Sequence, residues 1–253
     1  MLSDALRELY TRVPFGVRLG TEAMAEACAR AGNPERAFAS VHIAGTNGKG
    51  SVSALTEGAA RASGLRTGLY TSPHLARFAE RVRVSGEVLA DEALAEALAE
   101  ALRLGPDLTF FEVATLAAFL AFRRAGVELA VLEVGLGGRH DATNVVAPPG
   151  VRLTAITRIA LDHTDRLGPD LPSIAREKAG IAKAGVPLVV GPVPPAVRDA
   201  IAEVARARGA LPRWADDAPA DDHDALDQGY PARNERLARR VCRELGLDAR
   251  ATQ

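Results

Sequence analysis

At 253 residues the chain is long enough for one large domain, or one domain with an appendage. Apolar residues make up 47%, and 31 basic side chains nearly cancel 32 acidic ones. A sizeable core is therefore expected and a charge-driven nucleic-acid partner is not, while 4% aromatics leave little for stacking bases.

Two isolated cysteines, Cys28 and Cys242, fit a reducing compartment rather than a disulfide scaffold. Residues 1–12 lack the basic-then-apolar build of a leader, and no apolar run approaches the ~18 residues of a bilayer span. A monomeric cytoplasmic protein without a membrane contact is expected.

In chain order, Leu2, Leu6, Leu9 and Tyr10 recur at helical spacing and predict a short helix ending near Pro14. A second helix is expected over Thr21–Ala31, stopped by Gly32-Asn33-Pro34. An apolar strand, Val41–Ala44, then runs into Gly45-Thr46-Asn47-Gly48-Lys49-Gly50-Ser51 and a helix to Ala62. Glycines let backbone N–H groups curl inward, and a helix N-terminus behind them adds partial positive charge. Lys49 supplies a full charge to phosphate oxygens and the Ser51 hydroxyl can ligate Mg²⁺. The strict phosphate-loop spacing fails, because Ile43 stands where its first glycine belongs. The turn is a compressed variant that still predicts phosphate binding.

Further strands are expected at Arg66–Thr71, Glu128–Val134, Leu153–Ile159 and Val186–Val190, with a small edge strand over Arg81–Val84. Helices are expected over Asp91–Leu104 (capped by Asp91), Thr109–Arg124 (a capping box of Thr109 and Glu112), Ser173–Lys183 and Ala196–Arg208. Strands alternating with helices imply a mostly parallel sheet of about five strands flanked by helices, an α/β fold of the phosphate-loop type. Six aspartates crowd Ala215–Asp227, read as a solvated acidic loop, before helical periodicity returns over Asn234–Leu245. The organisation expected is a nucleotide-binding domain over 1–209, an acidic loop over 210–230 and a terminal helix over 231–253.

Ligands in parallel sheets sit at the carboxyl ends of the strands. Lys49 and Ser51, Ser72 and His74, Glu133 and His163 all fall there, and together can hold one or two Mg²⁺ ions. Glu133 inside an apolar run is either a buried acid with a backbone partner or a metal ligand; an unpaired buried carboxylate costs several kcal/mol. His163 reads equally as ligand or loop histidine. His42, within a strand, reads as a satisfied core histidine, and periodicity alone makes Lys178 a solvated helix lysine.

Six stretches taken in order resemble the folylpolyglutamate synthase and dihydrofolate synthase family, a branch of the Mur-type ATP-dependent amide ligases. They are VHIAGTNGKGS (Val41–Ser51), GLYTSPHLARFAERVRV (Gly68–Val84), LTFFEVAT (Leu108–Thr115), VLEVGLGGRHDATN (Val131–Asn144), ALDHTDRLG (Ala160–Gly168) and IAREKAGIAK (Ile174–Lys183). The resemblance implies a Mur-ligase central domain and a reaction. ATP phosphorylates a carboxylate of a pteroate or folate substrate, and the amine of L-glutamate attacks the acyl phosphate to give an amide, ADP and phosphate.

By matching positions, Gly45 to Ser51 would bind ATP, with Lys49 on the β- and γ-phosphates and Asn234 at the adenine. Ser51, Ser72 and Glu133 would serve one Mg²⁺, and Glu133 with His163 a second. Lys178 matches a lysine that is carbamylated in these ligases; Lys49, Lys178 and His163 form the implied catalytic set. Arg77, Glu80 and Arg81, Phe110 and Phe111, and Asp141 match positions on the pterin-bearing substrate. Pro231 stands where the family has glutamine ahead of Asn234, and the family's C-terminal domain has no counterpart in this sequence. Two other readings stay open: a Mur-type ligase for a different carboxylate, marked by indifference to pterins, and a catalytically silent nucleotide-binding module.

Overall fold

The computed structural model describes residues 2–13, 16, 20–215 and 229–247. The aspartate-rich stretch and Pro14 lie outside these residues. An eight-stranded sheet forms the middle layer, built from β1 (Ala39–Ala44), β2 (Thr67–Tyr70), β3 (Val82–Val84), β4 (Glu87–Val88), β5 (Leu129–Glu133), β6 (Val151–Ile156), β7 (Pro187–Val190) and β8 (Leu211–Trp214). Their order is β4-β3-β2-β5-β1-β6-β7-β8. β2, β5, β1, β6, β7 and β8 run parallel, while β3 and β4 add an antiparallel edge.

The sheet is thus larger than the five strands expected. β8 escapes notice because Pro212 and Arg213 break its apolar run, although Leu211 N donates to Val186 O and starts the pairing. The strand expected at Arg81–Val84 is present as β3, but β4 lies outside it.

Register sorts the side chains. His42 pairs with Leu132 and with Thr154, so these three share a face. On that face pack α1 (Leu2–Tyr10), α2 (Glu22–Arg30), α4 (Asp91–Leu104) and α5 (Phe110–Arg124), and further along α7 (Leu171–Ala179) and α8 (Pro195–Arg208). Val41, Ile43 and Val131 point the other way, against α3 (Lys49–Ala62) and α9 (Gly229–Glu244). A short α6 (Thr164–Leu167) precedes α7. None of the helices described is long and apolar enough to cross a membrane.

α5 is buried at every position from Glu112 to Phe122, as befits a helix apolar nearly all round. Its capping box forms as the sequence suggests. Glu112 Oε2 accepts from Thr109 N at 2.8 Å, and Thr109 Oγ1 accepts from Glu112 N at 3.4 Å. Removing the shorter bond strands a buried N–H. Glu112→Ala is therefore expected to cost about 1–3 kcal/mol, more than the ~1 kcal/mol of Thr109→Ala, read from urea midpoints at equal slope.

Several helix starts differ from expectation, and α9 begins at Gly229, five residues before Asn234. Ala90, not Asp91, is the N-cap of α4, because the Asp91 carboxylate is taken by Arg77 at 2.9 Å. α7 begins and ends earlier than expected. Asp170 caps it by accepting from Ser173 N, and Gly180 ends it where a side chain would collide with Arg139.

Candidate active site

The phosphate-loop turn leaves β1 and enters α3 at Lys49, with Gly48 as N-cap at φ +88°. That left-handed conformation suits glycine, and a Cβ there would also strike the Asn234 side chain of α9. The turn is buttressed from β6. Thr157 Oγ1 donates to Asn47 O at 2.8 Å, and Thr46 N donates to Arg158 O at 2.7 Å. Thr157 carries no motif and was not singled out from the sequence; its only trace is its position just past a strand end.

Two lysines converge on one carbonyl. Lys49 Nζ donates to Gly45 O at 3.1 Å and to Thr46 O at 3.2 Å, and Lys178 Nζ donates to the same Gly45 O at 3.0 Å. An ammonium has three donors, so Lys49 keeps one for a phosphate oxygen. Lys178 is buried rather than solvated, contrary to its helical periodicity. α7 leans close because Gly138 gives it room: a Cβ on Gly138 would lie 2.7 Å from Lys178 O. Burial first, and then the charge of Lys49, push the Lys178 amine down to about 8.

Glu133 ends β5 beside this pair. It is buried, and its Oε2 accepts from Ser72 N at 3.0 Å. Burial raises its carboxyl above the usual range, against the opposing pull of the Ser72 N–H and the Lys49 charge. Among the described residues no three His, Cys, Asp or Glu gather into a cluster. Glu133, Ser51 and Ser72 offer oxygen donors only, the kind of set that suits a hard ion such as Mg²⁺.

Two clefts open at the carboxyl ends of the strands. One, of about 520 Å³, is lined by Ser72, Arg81, Phe110, Phe111, Asp141 and His163 among others. The second, of about 570 Å³, is lined by Asn47, Gly48, Thr157, Arg158 and Asn234 among others. Six of the residues singled out from sequence thus share the first cleft, and three share the second.

Within the first cleft Arg81 is buried between two rings, its guanidinium 5.5 Å from the centroids of Phe78 and of Phe110, while Nε donates to His74 Nδ1 at 2.9 Å. Arg77 and Glu80 line neither cleft. Arg77 pairs with Asp91, and the Glu80 carboxylate accepts the N–H groups of Leu75 and Arg77, which holds it below the usual range. His163 is exposed, in a left-handed conformation (φ +49°), 3.7 Å from Asp162.

A parallel sheet whose carboxyl ends carry a phosphate-type turn, two lysines, a buried glutamate and a cleft on either side defines a Mur-type nucleotide-binding fold. The chain belongs to the dihydrofolate synthase/folylpolyglutamate synthase family. It is 45% identical over 197 residues to the dihydrofolate synthase/folylpolyglutamate synthase of Escherichia coli K12, spanning 77% of this chain and 46% of that protein. The Bacillus subtilis enzyme of the same name is 41% identical over 203 residues, 76% of this chain and 46% of that protein.

Among solved structures, E. coli FolC in complex with DHPP and ADP superposes with a TM-score of 0.86 at 37% identity. That match covers 98% of this chain and 63% of that one. The Yersinia pestis enzyme complexed with AMPPNP and Mn ion gives 0.76 at 41% identity, covering 84% and 51%. The chain spans about half the length of these curated relatives. No protein-family model matches it.

Proposed function

We propose that this chain is the nucleotide- and pterin-binding part of an ATP-dependent amide ligase that joins L-glutamate to dihydropteroate or a folate through an acyl phosphate. The observation that carries the reading is the gathering of Lys49, Glu133 and Lys178 at the phosphate-type turn, with Asn47, Gly48 and Asn234 lining one cleft beside it and Arg81, Phe110, Phe111 and Asp141 lining another. The relatives add to it, since their solved forms hold ADP with DHPP, or Mn with AMPPNP and L-glutamate.

ATP enters the cleft lined by Gly48 and Asn234, with its phosphates on the N–H groups of the Gly45–Ser51 turn. Lys49 neutralises the β- and γ-phosphates, and Asn234 meets the base. Ser51, Ser72 and Glu133 would hold one Mg²⁺, and Glu133 with His163 a second. The ion supplies charge neutralisation on the phosphates. The pteroate part occupies the first cleft, between the phenyl rings of Phe110 and Phe111 and the buried Arg81, with its carboxylate toward the γ-phosphate. Acyl transfer from phosphate needs alignment and charge stabilisation more than a protein nucleophile, and the site offers those two. Lys178 completes the centre as a carbamate, an added anion beside Lys49 and the metal.

The test is phosphate release from Mg-ATP with and without dihydropteroate and L-glutamate, with folate products followed by chromatography. Stimulation of turnover by dihydropteroate supports the reading. Nucleotide binding without stimulation by any pterin, or stimulation by an unrelated carboxylate alone, would refute it.

A further inference from the structure

His42 lies on β1 three residues before the phosphate-loop turn, fully buried, on the sheet face opposite α3. Its Nε2 is 2.7 Å from Thr143 Oγ1. The Thr143 hydroxyl in turn donates to Asp141 Oδ1, and Thr143 N donates to the same oxygen at 3.1 Å. Asp141 Oδ2 accepts from Gly135 N at 3.0 Å and Leu136 N at 2.9 Å. Asp141 is the acceptor of four donors, as a carboxylate should be.

A hydroxyl has one hydrogen. Since Thr143 gives its hydrogen to Asp141, it must accept from His42, so the ring carries its proton on Nε2. The unprotonated Nδ1 then needs a donor, and among the described residues it has none. Leaving a buried ring nitrogen unpaired has a cost. A leucine at this position would avoid that cost. What the histidine supplies in return is the single donor that orients Thr143.

We propose that His42 is a positioning residue for the pterin-side cleft, acting through Thr143 and Asp141 on the Gly135–Leu136 backbone. Gly135, Leu136 and Asp141 all line that cleft, and a Cβ at Gly135 would collide with the Phe111 ring. The place of Gly135 therefore sets the place of the ring that faces the substrate. Asp141, matched to substrate binding from the sequence, spends its oxygens on the chain's own donors and shapes the cleft from beneath. The inference rests on the proposed pterin occupancy only for its effect on ligand affinity; the relay itself is a property of the chain.

Two measurements on the full chain separate these levels. The first is amide exchange at Gly135 and Leu136 by NMR, with no ligand added, together with the ¹⁵N tautomer pattern of the His42 ring. The second is the affinity for dihydropteroate, with Mg-ATP as control. Glutamine places its amide donor where Nε2 sits, whereas asparagine reaches only to the Nδ1 position. His42→Gln should keep protection of both amides, and His42→Leu and His42→Asn should lose it.

His42→Leu should weaken dihydropteroate roughly fivefold to thirtyfold and leave Mg-ATP within about twofold. His42→Gln should recover most of the loss. An Nδ1–H tautomer, or unchanged exchange in His42→Leu, overturns the relay. A parent chain that keeps the exchange pattern yet does not bind dihydropteroate refutes the pterin reading and leaves the relay standing. If His42→Leu does not fold, Thr143→Val against Thr143→Ser asks the same question one step along.

Discussion

Lys49→Ala should weaken Mg-ATP binding roughly a hundredfold, measured by calorimetry. In the folded chain Nζ is already held over the turn by Gly45 O and Thr46 O, so little side-chain entropy remains to be lost when phosphate arrives. Its third donor and full charge then meet phosphate oxygens at a half-buried site, where a hydrogen bond to a charged group is worth about 1.5–3 kcal/mol, up to about 150-fold in affinity.

Lys49→Met keeps the aliphatic stem and should lose affinity as much, which ties the effect to charge rather than packing. Neither variant should unfold the chain, because the two carbonyls that Lys49 contacts keep other donors nearby: Lys178 on Gly45, and water on the open side of the turn. Parent-like affinity in both variants would remove the phosphate role from Lys49.

The turn around Lys49 was legible because its chemistry is local: glycines, a lysine and a hydroxyl within seven residues, behind an apolar strand. What supports the turn was not. Thr157 reaches Asn47 O across 110 residues, and Lys178 reaches Gly45 O across 133. Periodicity reports which face of a helix is apolar, and a lysine on α7 reads as solvated unless something says the helix end lies under a loop. The sign of that closeness was present in Gly138 and Gly180, which let the two segments touch, but a glycine does not name its neighbour.

β8 was missed for the opposite reason. Its local composition is poor for a strand, and pairing with β7 overrides it. Of the positions assigned by resemblance, Arg81, Phe110 and Phe111 line the cleft, while Arg77 and Glu80 serve the loop that carries Arg81. Motif matching assigns a segment to a ligand, but burial and hydrogen bonds decide which members of it can face that ligand.

Lys178 should carry a carbamate whose occupancy rises steeply with pH at fixed dissolved CO₂. Carbamylation needs the neutral amine, and an amine lowered from 10.5 to about 8 is neutral roughly 300-fold more often near pH 7 than an ordinary lysine. The shift has a physical sign. Between about pH 8 and 10.5 the unfolded chain binds a proton at Lys178 that the folded chain does not, so stability from this group rises with pH through that window. Below it the penalty of a buried ammonium facing the Lys49 ammonium is present in full.

Carbamylation removes the penalty, since the product anion turns a repulsive pair into an attractive one. Lys183 is also lowered to about 8, but its amine donates to Asn144 O and Oδ1, at 3.1 and 2.8 Å, and an anion there would face both acceptors. The modification should therefore select Lys178. Labelled bicarbonate at pH 8–8.5 should give one ¹³C carbamate signal that survives Lys183→Arg and vanishes in Lys178→Ala, and bicarbonate should raise the melting temperature of the parent and of Lys183→Arg but not of Lys178→Ala. A signal that tracks Lys183 instead, or none at all with Mg²⁺ and nucleotide present, would defeat the assignment.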